Sequence, residues 1–169
     1  ELFNMFDWEA PKFCHVAPIQ KMDGASRRKL SKRKDPEANV EFFEKEGYPA
    51  LSVQEFLLNL LNSNYEDWRK ANPASPNTEF KLSLDKMSVS GALFDMTKFN
   101  DVSKETISRM SADEVYILAL SWAEKFDAEL FELLKDKDYA LKIFNVERGD
   151  PSTPLGAGKT RKDIAKWSD

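Results

Sequence analysis

From residue 35 onward the apolar positions of this 169-residue chain recur at helical spacing, and several segment ends carry stop and start signals. Asp35 before Pro36 predicts a helix capped by the aspartate, with proline at its first position. Val40 and Phe43 share one face of it, and Gly47 followed by Pro49 predicts its end. Ser52 and Glu55 have capping-box spacing, with Leu51 and Phe56 placed as the hydrophobic staple. The helix they predict carries Phe56, Leu57, Leu60 and Leu61 as its apolar face. Tyr65 to Lys70 extends into a further helical turn, and the prolines between Asn72 and Thr78 predict a loop. Asp95 predicts a short helix through Phe99, and Ser103 another through Met110. Ser111 and Glu114 form a second capping box, with Met110 and Val115 as its staple and Val115, Leu118, Ala119 and Trp122 behind it. Asp127 and Asp138 predict caps for two more helices, bearing Leu130, Leu133 and Leu134, then Leu141 and Phe144. Gly149 and Pro151 predict the end of the last, Asp150 to Thr160 a loop, and Arg161 to Trp167 the start of a final helix.

Period-two alternation is rarer. Phe13, His15 and Ala17 alternate with Cys14, Val16 and Pro18, and predict a short extended segment before a turn at Met22-Asp23-Gly24. Phe80, Leu82 and Leu84 alternate with polar residues and predict a short strand, with a turn after it over Ser88 to Gly91. The fold class expected is mainly α, with short extended segments near the N-terminus and around residues 79–85. A boundary is expected between Asp101 and Ser111, separating a mixed first half from an all-helical second half.

Composition narrows this little. The chain is 41% hydrophobic and 32% charged, which excludes a disordered chain, and no apolar run is long enough to cross a bilayer. One cysteine, Cys14, cannot form an intrachain disulfide, which fits a reducing cytosolic setting. The formal charge of −4 gives no global signal for nucleic acid. The distribution does more. Lys21, Arg27, Arg28, Lys29, Lys32, Arg33 and Lys34 crowd one stretch in which Asp23 is the only acid, and this stretch is expected as an exposed loop. A second basic group, Lys159, Arg161, Lys162 and Lys166, lies near the C-terminus.

Most candidate chemistry fails on counting. His15 is the only histidine, and with Cys14 it gives too few ligands for zinc, so no metal site is expected; a packed histidine is the better reading. Gly156-Ala157-Gly158-Lys159-Thr160 resembles the end of a P-loop, but Thr153 stands where the first glycine belongs and a helix precedes it. Lys29-Leu30-Ser31-Lys32-Arg33 remains: an exposed segment that can place cations on a polyphosphate while charge builds up during adenylyl transfer.

Those five residues resemble the KMSKS-type loop of class I aminoacyl-tRNA synthetases, in the form typical of glutamyl-tRNA synthetases. Phe13 to Pro18 with Met22-Asp23-Gly24 resembles the family's strand and turn into the loop. Val40-Glu41-Phe42-Phe43, Glu46-Gly47-Tyr48-Pro49 and the helix Phe56 to Leu61 resemble the family's segments downstream of the loop, as do Ser90 to Asp95 and Arg161 to Trp167. The resemblance implies that Lys32 is the catalytic lysine on the ATP phosphates, with Lys29, Ser31 and Arg33 completing the ATP-contacting loop. It implies residues 1–34 as the edge of a catalytic domain, 35–105 as a helical stem-contact region, and 106–169 as the start of a helical anticodon-binding domain. It further implies ATP with magnesium, glutamate and tRNA as partners, a cytoplasmic monomer, and no membrane. Glutaminyl relatives would continue into β-barrels, whereas the patterning here stays helical. The HIGH-type motif is absent from this sequence, so an excerpt unable to charge tRNA alone is expected. The competing expectation is a noncatalytic helical module that binds tRNA or protein.

Overall fold

The computed structural model describes residues 1–146, 148 and 161–169. A short N-terminal helix α1 (Leu2–Met5) precedes a long irregular stretch and a hairpin of β1 (Gln20–Asp23) and β2 (Ser26–Lys29). After a 3-10 turn at Pro36–Ala38 come α2 (Val40–Glu46), α3 (Ala50–Leu61) and α4 (Tyr65–Ala71). Two further 3-10 turns, Asn77–Glu79 and Leu84–Lys86, lead to α5 (Met96–Ser108), α6 (Ala112–Phe126), α7 (Ala128–Leu134) and α8 (Lys137–Phe144). The mainly α class is as expected, and one two-stranded antiparallel sheet is present among the described residues.

Caps that need only local hydrogen bonds fall where the sequence places them. Gly47 ends α2 at φ +92°, a left-handed conformation that glycine adopts without cost. The Asp95 side chain accepts from the amides of Thr97 and Lys98, and Asp127 accepts from Leu130. Ser111 and Glu114 form the full capping box.

Other expectations are overturned, and in several of them a distant partner takes the polar group. Asp35 caps no helix with its side chain; α2 begins later, where the Asn39 side chain accepts from the Glu41 amide. Ser52 and Glu55 make no capping box. Both lie inside α3 and are buried: the Ser52 hydroxyl is 2.9 Å from that of Ser103, and Glu55 binds Arg69 and Arg109. Ser103 likewise starts no helix, because its hydroxyl donates to the Ala165 carbonyl at 2.5 Å in the middle of a continuous α5. The strand expected over Phe80 to Leu84 is absent. Phe80 and Ser83 are extended, but the buried Asn62 side chain takes the place of a paired strand, accepting from Ser83 N at 2.9 Å and donating to Ser83 O at 3.1 Å. No strand forms over Phe13 to Ala17 either, and His15 is exposed rather than packed. Asp136, not Asp138, caps α8, accepting from Tyr139 N. Arg161 to Trp167 is not helical; it docks as an irregular segment on the end of α2. The stop expected at Gly149 and Pro151, and the loop from Asp150 to Thr160 with its P-loop-like end, lie outside the described residues.

Two apolar clusters organise the molecule. The first joins Phe43, Phe56, Phe94 and Phe99, with rings in mostly edge-on contact 5.0–5.4 Å apart for Phe43–Phe99, Phe56–Phe94 and Phe56–Phe99. The second joins Ile107, Val115, Tyr116, Ala119, Ala123, Leu134, Ala140 and Trp167. Helix α5 serves both, with Phe99 in one and Ile107 in the other, so a continuous helix crosses the stretch where the boundary was expected.

Candidate phosphate-binding loop

The hairpin sets the loop's direction. Gln20 pairs with Lys29, Lys21 with Arg28, Met22 with Arg27 and Asp23 with Ser26, around a turn at Gly24 with φ +61°. Its inner strand is tied to the first core. Gln20 N donates to Ala92 O at 2.8 Å, and Phe94 N donates to Gln20 O at 2.7 Å, a parallel bridge one residue from a buried phenylalanine. Arg27, Arg28 and Lys29 therefore belong to a strand, which corrects the expectation that the whole basic stretch is loop. The loop proper begins at Leu30, whose amide donates to Ile19 O at 2.9 Å.

The next residues close on themselves. Lys34 N and Asp35 N both donate to Ser31 O, at 3.0 and 2.8 Å. In return, the Ser31 amide donates to an Asp35 carboxylate oxygen at 2.8 Å. Asp35 is 2% exposed, and Arg28 from β2 holds it through two parallel bonds of 2.6 and 2.8 Å. Arg28 Nε reaches Asp23 at 2.8 Å, while Lys21 pairs with the buried Glu37 and lies 3.6 Å from Asp35. These contacts fix the charge states. The Arg28 hydrogen bonds, then the Ser31 amide, hold the Asp35 carboxyl well below the usual carboxylate range. Asp35 and then Asp23 raise the Arg28 guanidinium, and Glu37 raises the Lys21 ammonium.

The candidate site residues sit outside this buried network. Lys29 ends β2 and is exposed; Ser31 is half-buried and contributes its backbone to the turn. Lys32 and Arg33 stand side by side at the tip with Lys34, all exposed. Ion pairing near the loop is confined to Lys21 and Arg28, and Lys29, Lys32, Arg33 and Lys34 form none among the described residues. The second basic group behaves differently. Arg161 pairs with Asp163, Lys162 with Glu105, and Lys166 with Glu46, while Lys159 lies outside the described residues. A cluster of free cations on a hydrogen-bonded turn suits a polyanion; cations already matched to acids do not.

No family model matches the chain. It is 46% identical over 170 residues to a glutamate–tRNA ligase of Clostridium perfringens (strain 13 / Type A), all of the chain being covered. It is likewise 46% identical to one of Clostridium beijerinckii and 41% identical over 184 residues to one of Sorangium cellulosum, again over the full chain. The chain belongs to the glutamate–tRNA ligase family. It spans about 30% of the length of the curated relatives it matches.

Among the described residues, no group of three metal-binding side chains converges. Sequence reasoning missed four residues that shape the loop: Lys21, Arg28, Asp35 and Glu37. A proline after the acid made Asp35 read as a helix cap, and only its burial shows the other use. The one local signal was an isolated acid closing a run of six cations between Arg27 and Lys34.

Proposed function

We propose that this chain supplies the ATP-phosphate loop and tRNA-contacting helices of a ligase that activates glutamate with ATP and passes it to the 3′ end of tRNA. The observation that carries this is the set Lys29, Lys32, Arg33 and Lys34, without ion-pair partners among the described residues, around a turn stitched from Ser31 to Asp35. Lys32 is the proposed catalytic residue: its ammonium steadies phosphate charge as pyrophosphate leaves, with Lys29 and Arg33 adding positive potential and Ser31 shaping the turn. Magnesium would accompany ATP in the complete enzyme. Residues 1–34 form the proposed edge of the catalytic domain, 35–105 the stem-contact region and 106–169 the start of the anticodon-binding region. The family resemblance and the change from hairpin to helices after residue 35 support the first of these boundaries, whereas the second falls within the continuous α5. A cytoplasmic monomer is proposed on the same basis; no helix among the described residues is long and apolar enough to cross a membrane.

Lys32→Ala in the complete ligase tests this. Glutamate-dependent ATP–pyrophosphate exchange is expected to fall about a hundredfold, with tRNA affinity within about twofold of the parent. Unchanged exchange, or loss of tRNA affinity alone, would leave the noncatalytic binding module as the better reading.

A further inference from the structure

The loop's shape depends on an acid that has no place in the phosphate chemistry. Asp35 is almost fully buried, and among the described residues its hydrogen bonds come from the Arg28 guanidinium on the hairpin and the Ser31 amide at the loop entrance. A carboxylate has about four lone-pair sites, and three are occupied by these bonds. Asp35 therefore connects β2, which the core fixes through Gln20 and Phe94, to both ends of the turn carrying Lys32. It also occupies Arg28, a guanidinium near the loop that could otherwise compete for phosphate. Lys21, held by Glu37, backs the same carboxylate from the neighbouring strand.

We propose that the Asp35–Arg28 pair is a positioning clamp that presents Lys32 and Arg33 together to the phosphates of ATP, resting on the reading of this segment as an ATP loop. Three features carry the clamp: the two parallel Arg28 bonds, the Ser31 amide bond and the near-complete burial of Asp35. Without the carboxylate, the Ser31 amide loses its charged acceptor and Arg28 is left with the exposed Asp23 as its acid partner. The tip cations then sample many positions, and a misplacement of about 1 Å at a reacting centre costs up to roughly a hundredfold.

The test uses three variants of the complete ligase, with thermal melts to show that each is folded. In ATP–pyrophosphate exchange, Asp35→Asn is expected to lower kcat/KM for ATP about tenfold, while KM for glutamate and tRNA affinity stay within about twofold. Arg28→Gln is expected to do the same, and the double variant to lose no more than the worse single, as groups acting as one unit do. Amide hydrogen exchange at Ser31 should speed up in all three. Parental ATP kinetics in Asp35→Asn, or a uniform loss across ATP, glutamate and tRNA, overturns the clamp. Additive losses in the double variant overturn it too. Lys32→Ala, run alongside, separates the two levels: parental exchange there overturns the ATP-loop reading itself, whereas a crippled Lys32→Ala beside an ATP-normal Asp35→Asn overturns only the clamp.

Discussion

Tyr65 is fully buried at the start of α4, its ring 4.8 Å from Phe80 and its phenol oxygen 3.2 Å from Arg69. Burial pushes the phenol up from its ordinary 10.0 to about 12; a hydrogen bond from Arg69 opposes the shift and one to Glu55 adds to it. Arg69 is pulled down by burial, but its bonds to Tyr65 and Glu55 outweigh that and leave it raised. Between pH 10 and about 12 the unfolded chain has lost the Tyr65 proton and the folded chain keeps it, so stability is full below pH 10 and falls as pH rises through that window. Urea unfolding across this range should show the decline, and Tyr65→Phe should flatten it. An identical slope in the variant would show that Tyr65 is not the group responsible. The same cluster explains why Glu55 is tolerated at 2% exposure: Arg69 binds both its oxygens, at 2.6 and 3.0 Å, and Arg109 adds a contact at 3.5 Å.

At the scale of elements, the hairpin is too short to stand alone, since a two-stranded sheet is at best marginal in water. Its attachment at Leu93 is what holds it, and Gly91 makes that attachment possible. Gly91 has φ +85°, and a Cβ there would lie 2.5 Å from the Pro18 carbonyl oxygen. Gly91→Ala combines backbone strain with an overlap on main chain that cannot rotate away, and is expected to destabilise by about 2 kcal/mol or more. Urea denaturation measures the loss. Faster amide exchange at Gln20 and Phe94, ahead of the helices, would show the hairpin letting go first; uniform exchange would argue against a separate attachment. Helix ends elsewhere are set more locally: Gly47, Asp95, Ser111 and Asp127 each act within a few residues of themselves.

At the scale of the molecule, the C-terminal segment links the two halves. Trp167 N donates to Gly47 O at 2.9 Å, Ser168 Oγ to Glu46 O at 2.9 Å, and Trp122 Nε1 to Glu44 O at 2.8 Å. The Trp167 side chain is 8% exposed in the second core. Trp167→Ala is expected to cost about 3–5 kcal/mol, read as a lower thermal midpoint with a single transition. Two separate transitions would show that the halves had come apart, and an unchanged midpoint would refute the linking role. The sequence by itself determined the mainly helical class, the caps at Gly47, Asp95, Ser111 and Asp127, and the Lys29 to Arg33 motif, because each depends on residues adjacent in the chain. Only the tertiary structure decided the fates of Asp35, Ser52, Asn62 and Ser103. Each has a side chain suited to capping or turning its own backbone, and each is buried where a distant group competes for the same lone pairs and protons: Arg28, Ser103, Ser83 and Ala165. Away from water a polar group must be satisfied by whatever the fold brings to it, and spacing along the chain does not record which group that will be.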